Sequence, residues 1–379
     1  MKIQQKHWTE EGGWQSLSEN GISDQVQLVF VFGENTILKQ ESRLQEIKQF
    51  FPQGRIVGCS TAGEIIGSRV FDNSLTVTGV LFEKTNLQFA ETTVEDMEDS
   101  FSAGERLGEA LDPNGLTHVF VLSEGLNING SAMVKGLRSK LPADVAVTGG
   151  LAGDQDRFSE TAVFLDGIPK KNSIAAIGFY GDSIQIGYSS RGGWDSFGPD
   201  RLVTRSKANI LYELDEQPAL ELYKRYLGEE AKGLPATGLL FPLSITLEDG
   251  ERRLVRTILS INENEGSMTF AGDIPQGTYA RLMKSNFERL VDGAAESARL
   301  SRENGSSTPD LAILISCVGR KLLLKQRIYE EVECVQDTLG SGAALTGFYS
   351  YGEICPVRYD DRQAELHNQT MTITTFSER

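Results

Sequence analysis

The sequence is short of the residues that most often carry catalysis and metal binding. Its 379 residues include three histidines (His7, His118 and His367) and four cysteines (Cys59, Cys317, Cys334 and Cys355). No two cysteines form a CxxC pair, so neither a zinc ribbon nor a thioredoxin-type motif is present. The thiols are expected to be reduced and the protein cytoplasmic. Positive charge is also scarce: 37 Lys plus Arg stand against 53 Asp plus Glu, a formal net charge of −16. Such a surface repels phosphate backbones and anionic lipid, and no basic run offsets it, which argues against nucleic-acid and membrane partners. No apolar run is long enough to span a bilayer, and Met1 to Trp8 lack an apolar signal core. There is no Walker sequence, no GxSxG elbow, and Gly340-Ser341-Gly342 is too short for a dinucleotide fingerprint. A non-catalytic protein is expected. Hydrophobic content of 39% is ordinary for a globular chain, and the length suggests about two domains.

What is present is a repeat. Ile56-Val57-Gly58-Cys59-Ser60-Thr61-Ala62-Gly63-Glu64-Ile65 has a near copy in Leu345-Thr346-Gly347-Phe348-Tyr349-Ser350-Tyr351-Gly352-Glu353-Ile354. A shorter relative is Val147-Thr148-Gly149-Gly150-Leu151-Ala152-Gly153-Asp154. In each, an apolar strand-like segment runs into paired glycines and a carboxylate, as in a loop that needs a sharp turn or a close approach. Each is preceded by an apolar strand (26–32, 117–122, 311–315), a polar loop and an amphipathic helical pattern. Recurrence of strand, helix, strand and glycine loop near 26–65, 117–154 and 311–354 predicts internal duplication. Following segments read as strands, 75–82 with 87–93, and as a hairpin, 174–180 with 184–188, turned by Gly181-Asp182. Between the second and third units, strands are predicted within 202–214 and 239–270, with Glu248-Asp249-Gly250 as a turn, then a helix over 286–303. The expected fold is α/β and two-lobed, built from repeated strand–helix–strand units with added antiparallel hairpins.

Several stretches together resemble the FIST domain family: GCSTAGEI at 58–65, VTGGLAGD at 147–154, ELDEQPALELYKRYLG at 213–228, GDIPQG at 272–277, GFYSYGEICP at 347–356 and ELHNQTMTIT at 365–374. They occur in family order across about residues 25–379. The resemblance implies an N-terminal extension (1–24), a FIST_N-like domain (25–205) and a FIST_C-like domain (206–379). It also implies a bacterial sensory module for small ligands, proposed to include amino acids, that works with histidine kinases, cyclic-dinucleotide enzymes or chemoreceptors. No such signalling segment is left over in this sequence, so a separate partner is expected. Some members of similar layout are haem-binding nitric-oxide sensors; haem would take His367 as its axial ligand. A third reading is a thiol redox sensor or an enzyme using Cys59, with Cys59 and Cys355 brought to one cleft by pseudosymmetry.

Ligands of open α/β sheets bind at strand-end loops. The candidate binding residues are therefore Ser60, Thr61, Glu64, Asp154, Tyr349, Ser350, Tyr351 and Glu353 on the loops, joined by Arg320, His367 and Asn368. Hydroxyls, carboxylates and one guanidinium could orient both ends of an amino acid. The same carboxylates could instead bond loop amides, and Arg320 could sit in an ion pair. The tyrosines point to the C-terminal lobe for the more ligand-like pocket.

Overall fold

In the computed structural model, which describes residues 1–18, 21–247, 249–360 and 362–379, the repeat is complete and threefold. Each unit contributes four strands in one order. They are 2–9, 28–33, 55–60 and 74–81 in the first, 86–93, 116–123, 146–151 and 173–180 in the second, and 184–191, 311–317, 344–350 and 371–378 in the third. In every unit the second and third strands are parallel, as a helical crossover requires. The fourth strand lies antiparallel beside the second, and the first beside the fourth.

Each six-stranded sheet is extended by one or two strands from another unit. Strand Val163–Leu165 of the second unit pairs with 55–60 of the first, Gly352–Pro356 of the third with 146–151 of the second, and Glu64–Ile66 of the first with 344–350 of the third. The exchange is cyclic and in register. Gly58, Gly149 and Gly347 stand opposite Val31, Val121 and Leu314 on one side, and opposite Phe164, Ile354 and Ile65 on the other. A Cβ at any of these glycines would run into the carbonyl oxygen of that valine or leucine. This close approach is why glycine recurs there.

The inner faces of the three sheets share one core. Phe30, Phe120 and Ile313 occupy equivalent positions in it, and the rings of Phe30 and Phe120 meet edge to face at 5.5 Å. Outer faces are covered by helices, such as 41–50 against Val29 and Val31 and 130–140 against Val119 and Val121. Helix 130–140 begins where Asn129 accepts the amide of Ala132, and it buries Met133, Val134 and Leu137. His118 takes the inward position held by Leu28 and Leu311, bonds Thr148 at 2.8 Å, and is pushed by burial down to a pKa of about 3.

Residues 195–284 are inserted into the third unit as an antiparallel sheet. Its order is 253–256, 243–246, 279–284, 195–207, 210–214, 267–270 and 258–262, with helix 219–227 packed on it. The fold class is as expected, α/β with repeated units and antiparallel additions. Three details differ. Residues 2–9, expected in an extension, form the first unit's opening strand, and His7 there is buried with its ring 4.1 Å from Phe71. Strands 174–180 and 184–188 do not form the expected hairpin, and strands 75–82 and 87–93, present as expected, do not pair with each other either: each short connection carries the chain from one sheet to the next. The expected boundary at 205/206 falls inside strand 195–207, and the third unit's strand 352–356 completes the second unit's sheet. Of the predicted turn 248–250, Glu248 lies outside the described residues.

Candidate functional site

The glycine loops converge. At their centre three backbone hydrogen bonds run in a ring from unit to unit: Ala62 N–H to Tyr349 O at 2.8 Å, Gly153 N–H to Ser60 O at 2.9 Å, and Tyr351 N–H to Leu151 O at 3.3 Å. The loops lock one another together, and most of the candidate polar groups serve that lock.

Glu64 is fully buried and accepts the Thr61 hydroxyl and both the amide and hydroxyl of Ser74. Glu353 repeats the pattern with the Ser350 hydroxyl and the amide and hydroxyl of Thr370. Burial raises both carboxyls to a pKa of about 8, against the opposing pull of these donors. The Ser60 hydroxyl accepts the Ala162 amide at 2.9 Å. Asp154 is held by Arg157, the Ser159 amide and hydroxyl and the Glu160 amide. Burial would raise its pKa, but these bonds together hold it below the usual carboxylate range.

Arg320, expected as a ligand anchor, points into the core. It is fully buried, pairs with Glu331 through Nε and Nη2, and donates to the carbonyls of Gly192 and Leu290. Those carbonyls flank the inserted sheet, so Arg320 clamps its two ends. Tyr349 and Ser316 donate to the other Glu331 oxygen at 2.7 and 3.0 Å. His367 bonds the Cys355 carbonyl at 2.9 Å, and burial lowers its pKa to about 4. Asn368 is fully buried, with both amide heteroatoms unpartnered among the described residues. Cys59 and Cys355 are unpaired thiols in the central core, their pKa values raised by burial, which opposes thiolate chemistry at either.

Of the candidate residues, Tyr351 alone lines a predominantly apolar cavity of about 530 Å³. This volume lies within the usual range for small-molecule sites. One wall comes from the second and third units: Leu126, Asp156 and Phe158 on loops, Cys317 at the end of strand 311–317, Val318 and Leu322 on helix 318–324, and Tyr351. The other comes from the insert: Pro235, Ala236, Leu239, Thr257, Ile258, Leu259 and Ala271. Asp156 is the one acidic residue in the lining, which holds no basic residue. The Thr257 hydroxyl is buried without a hydrogen-bond partner among the described residues. The rings of Phe158 and Tyr351 stack at 4.4 Å and 13°. Gln155 and Phe158 both have left-handed backbones, with φ of 53° and 49°. Such strain in non-glycine residues clusters at ligand sites and switches. An adjoining cavity of about 280 Å³ shares Asp156, Val318 and Leu322 and reaches Ala62, Asp72 and Lys321. The Lys321 ammonium is held there by Asp72 and the Ala62 carbonyl.

The insert wall escaped the sequence reading because its apolar residues carry no motif. The loop wall had one legible sign, the segment after Gly153-Asp154. No histidine lines the cavity, and His367 is committed to the Cys355 carbonyl, so a haem held axially by His367 does not fit.

Comparison with known proteins gives a distant relative and a family. An uncharacterized protein of Methanocaldococcus jannaschii is 22% identical over 330 residues, 79% of this chain; the chain spans 62% of that relative's length. A solved cyanuric acid hydrolase from A. caulinodans aligns over 94% of this chain and 90% of its own at 8% identity and a TM-score of 0.33, a likeness too loose to bear on function. Residues 27–217 match the FIST N domain and residues 219–356 the FIST C domain, and the chain belongs to the FIST family of sensory domains.

Proposed function

We propose that this protein is a non-catalytic cytoplasmic sensor that binds a small metabolite in the 530 Å³ cavity and signals to a separate protein, such as a histidine kinase, a cyclic-dinucleotide enzyme or a chemoreceptor. The observation that carries the reading is where the cavity lies. It is bounded by two repeat units on one side and by the inserted sheet on the other, so an occupant touches both. A ligand shifts a conformational equilibrium only by its differential affinity for the two states. A molecule wedged between the insert and the loops has that differential affinity if the insert moves. The strained segment 155–158 is the second movable part, since it is tied to the third unit through Tyr351 and to the first through the Arg157–Glu34 ion pair at 2.6 Å.

Thermal melting against a metabolite panel tests this. A binding compound should raise the melting temperature of the wild type and not that of Ala271→Phe, which fills the cavity from the insert side. Equal shifts in both proteins, with the variant folded, would place the ligand elsewhere.

A further inference from the structure

We infer that the cavity selects an aromatic molecule that carries a hydrogen-bonding group and no anionic group, and that it therefore rejects free α-amino acids. The inference rests on the cavity being the ligand site. Its lining is apolar apart from a few groups, and each of these favours the same class. Asp156 stands exposed at the rim, with no basic side chain beside it in the lining. A buried ligand carboxylate would lie near that negative charge without a cation, which is costly in an apolar site. Arg320, the arginine expected to meet a carboxylate, has its guanidinium satisfied in the core. Lys321, in the adjoining cavity, is held by Asp72 and the Ala62 carbonyl.

The Thr257 hydroxyl is the independent sign of a ligand. It is 6% exposed, lines the cavity and lacks a partner among the described residues. Buried hydroxyls ordinarily find one, and a ligand N–H or O–H would supply it. The aromatic preference follows from the walls. Phe158 is 40% exposed although its ring is stacked on Tyr351, which leaves ring surface for a third ring. Ile258, Leu239 and Leu322 supply aliphatic surface around it.

Indole, tryptamine and indole-3-acetate share one ring system and differ in charge. Calorimetric titration of each into the whole chain, at 0.15 and 0.5 M NaCl, should show indole and tryptamine binding. Indole-3-acetate should bind at least about tenfold more weakly at both salts, because local desolvation is not screened as the overall negative charge is. Thr257→Val should weaken indole about two- to tenfold, the range of a single hydrogen bond. Equal binding of indole-3-acetate overturns the charge rule, and an unchanged indole affinity in Thr257→Val overturns the hydroxyl's role. Failure of all three compounds to bind overturns the inference. The cavity itself still stands as the site if some other compound stabilises the wild type and not Ala271→Phe; it falls only if that compound stabilises both.

Discussion

The hydroxyl of Tyr351 bonds both ends of the segment lining the cavity: it accepts the Phe158 amide at 3.2 Å and donates to the Gln155 carbonyl at 3.3 Å. The same residue gives its amide to the ring of backbone bonds that joins the units. Tyr351 thus connects the centre of the pseudo-threefold to a strained loop against the proposed ligand.

Tyr351→Phe keeps the ring stack and removes both hydroxyl bonds. We expect a loss of about 1–2 kcal/mol in unfolding free energy, as for one or two part-buried hydrogen bonds. Hydrogen exchange should quicken locally in 155–158, because two left-handed residues then lose the bonds that tie them to the third unit and keep only those to the first unit and within the segment, such as Gln155 N–H to Thr61 O. Unchanged exchange in that segment would show that the hydroxyl does not restrain it.

Arg320 and Glu331 form an ion pair with both side chains fully buried. Replacing the arginine alone, as Arg320→Met, leaves Glu331 without its countercharge and uncaps the carbonyls of Gly192 and Leu290. The expected cost is about 3–5 kcal/mol in denaturant unfolding. Glu331→Gln should cost a comparable amount, since its one amide oxygen can face either Arg320 or the hydroxyls of Tyr349 and Ser316, and the buried guanidinium loses its countercharge. A mild Arg320→Met phenotype, below about 1 kcal/mol, would return Arg320 to the list of candidate ligand residues.

The thiols give a quick test of the core. Cys59, Cys317 and Cys355 are buried, while Cys334 is partly exposed. In the native protein a thiol reagent should label Cys334 first and Cys317, which lines the cavity, more slowly, with Cys59 and Cys355 reacting only on unfolding. Fast labelling of Cys59 would revive the redox reading.

How much of this was legible can be followed residue by residue. The glycine loops were legible because Gly58, Gly149 and Gly347 serve the same backbone contact, and a contact that permits only glycine writes itself into sequence. The α/β repeat followed from them. Connectivity did not: 86–93 follows 74–81 within a few residues yet pairs with 173–180, because closing three sheets in a ring overrides the tendency of sequential strands to pair. Arg320 was misjudged because sequence shows a charge and not its direction, and its partner Glu331 reads as one of several carboxylates on a helix. Thr257 was invisible for a different reason. An isolated threonine between two short strands has no pattern, and its meaning lies in the unpartnered hydroxyl.

The paired carboxylates Glu64 and Glu353 set a pH dependence whose sign can be worked out. Each has an ordinary value of 4.5 and is raised to about 8, by burial first. Between those limits the folded protein keeps protons that the unfolded chain releases. Stability from these groups is therefore full below about 4.5 and is lost as pH rises through about 8. His7 and His367, lowered by burial to about 4, act over a different window: their contribution is present above pH 6.5 and is lost as pH falls toward 4. The carboxyl effect is isolated by subtracting the double variant Glu64→Gln/Glu353→Gln, which keeps the shape without the titration. The stability of wild type minus variant, from urea unfolding between pH 5 and 8, should fall with pH by at most about 1.4 kcal/mol per unit for each carboxyl. A flat difference would mean that the hydroxyl and amide donors of Thr61, Ser74, Ser350 and Thr370 outweigh burial, with both loops braced by carboxylate anions.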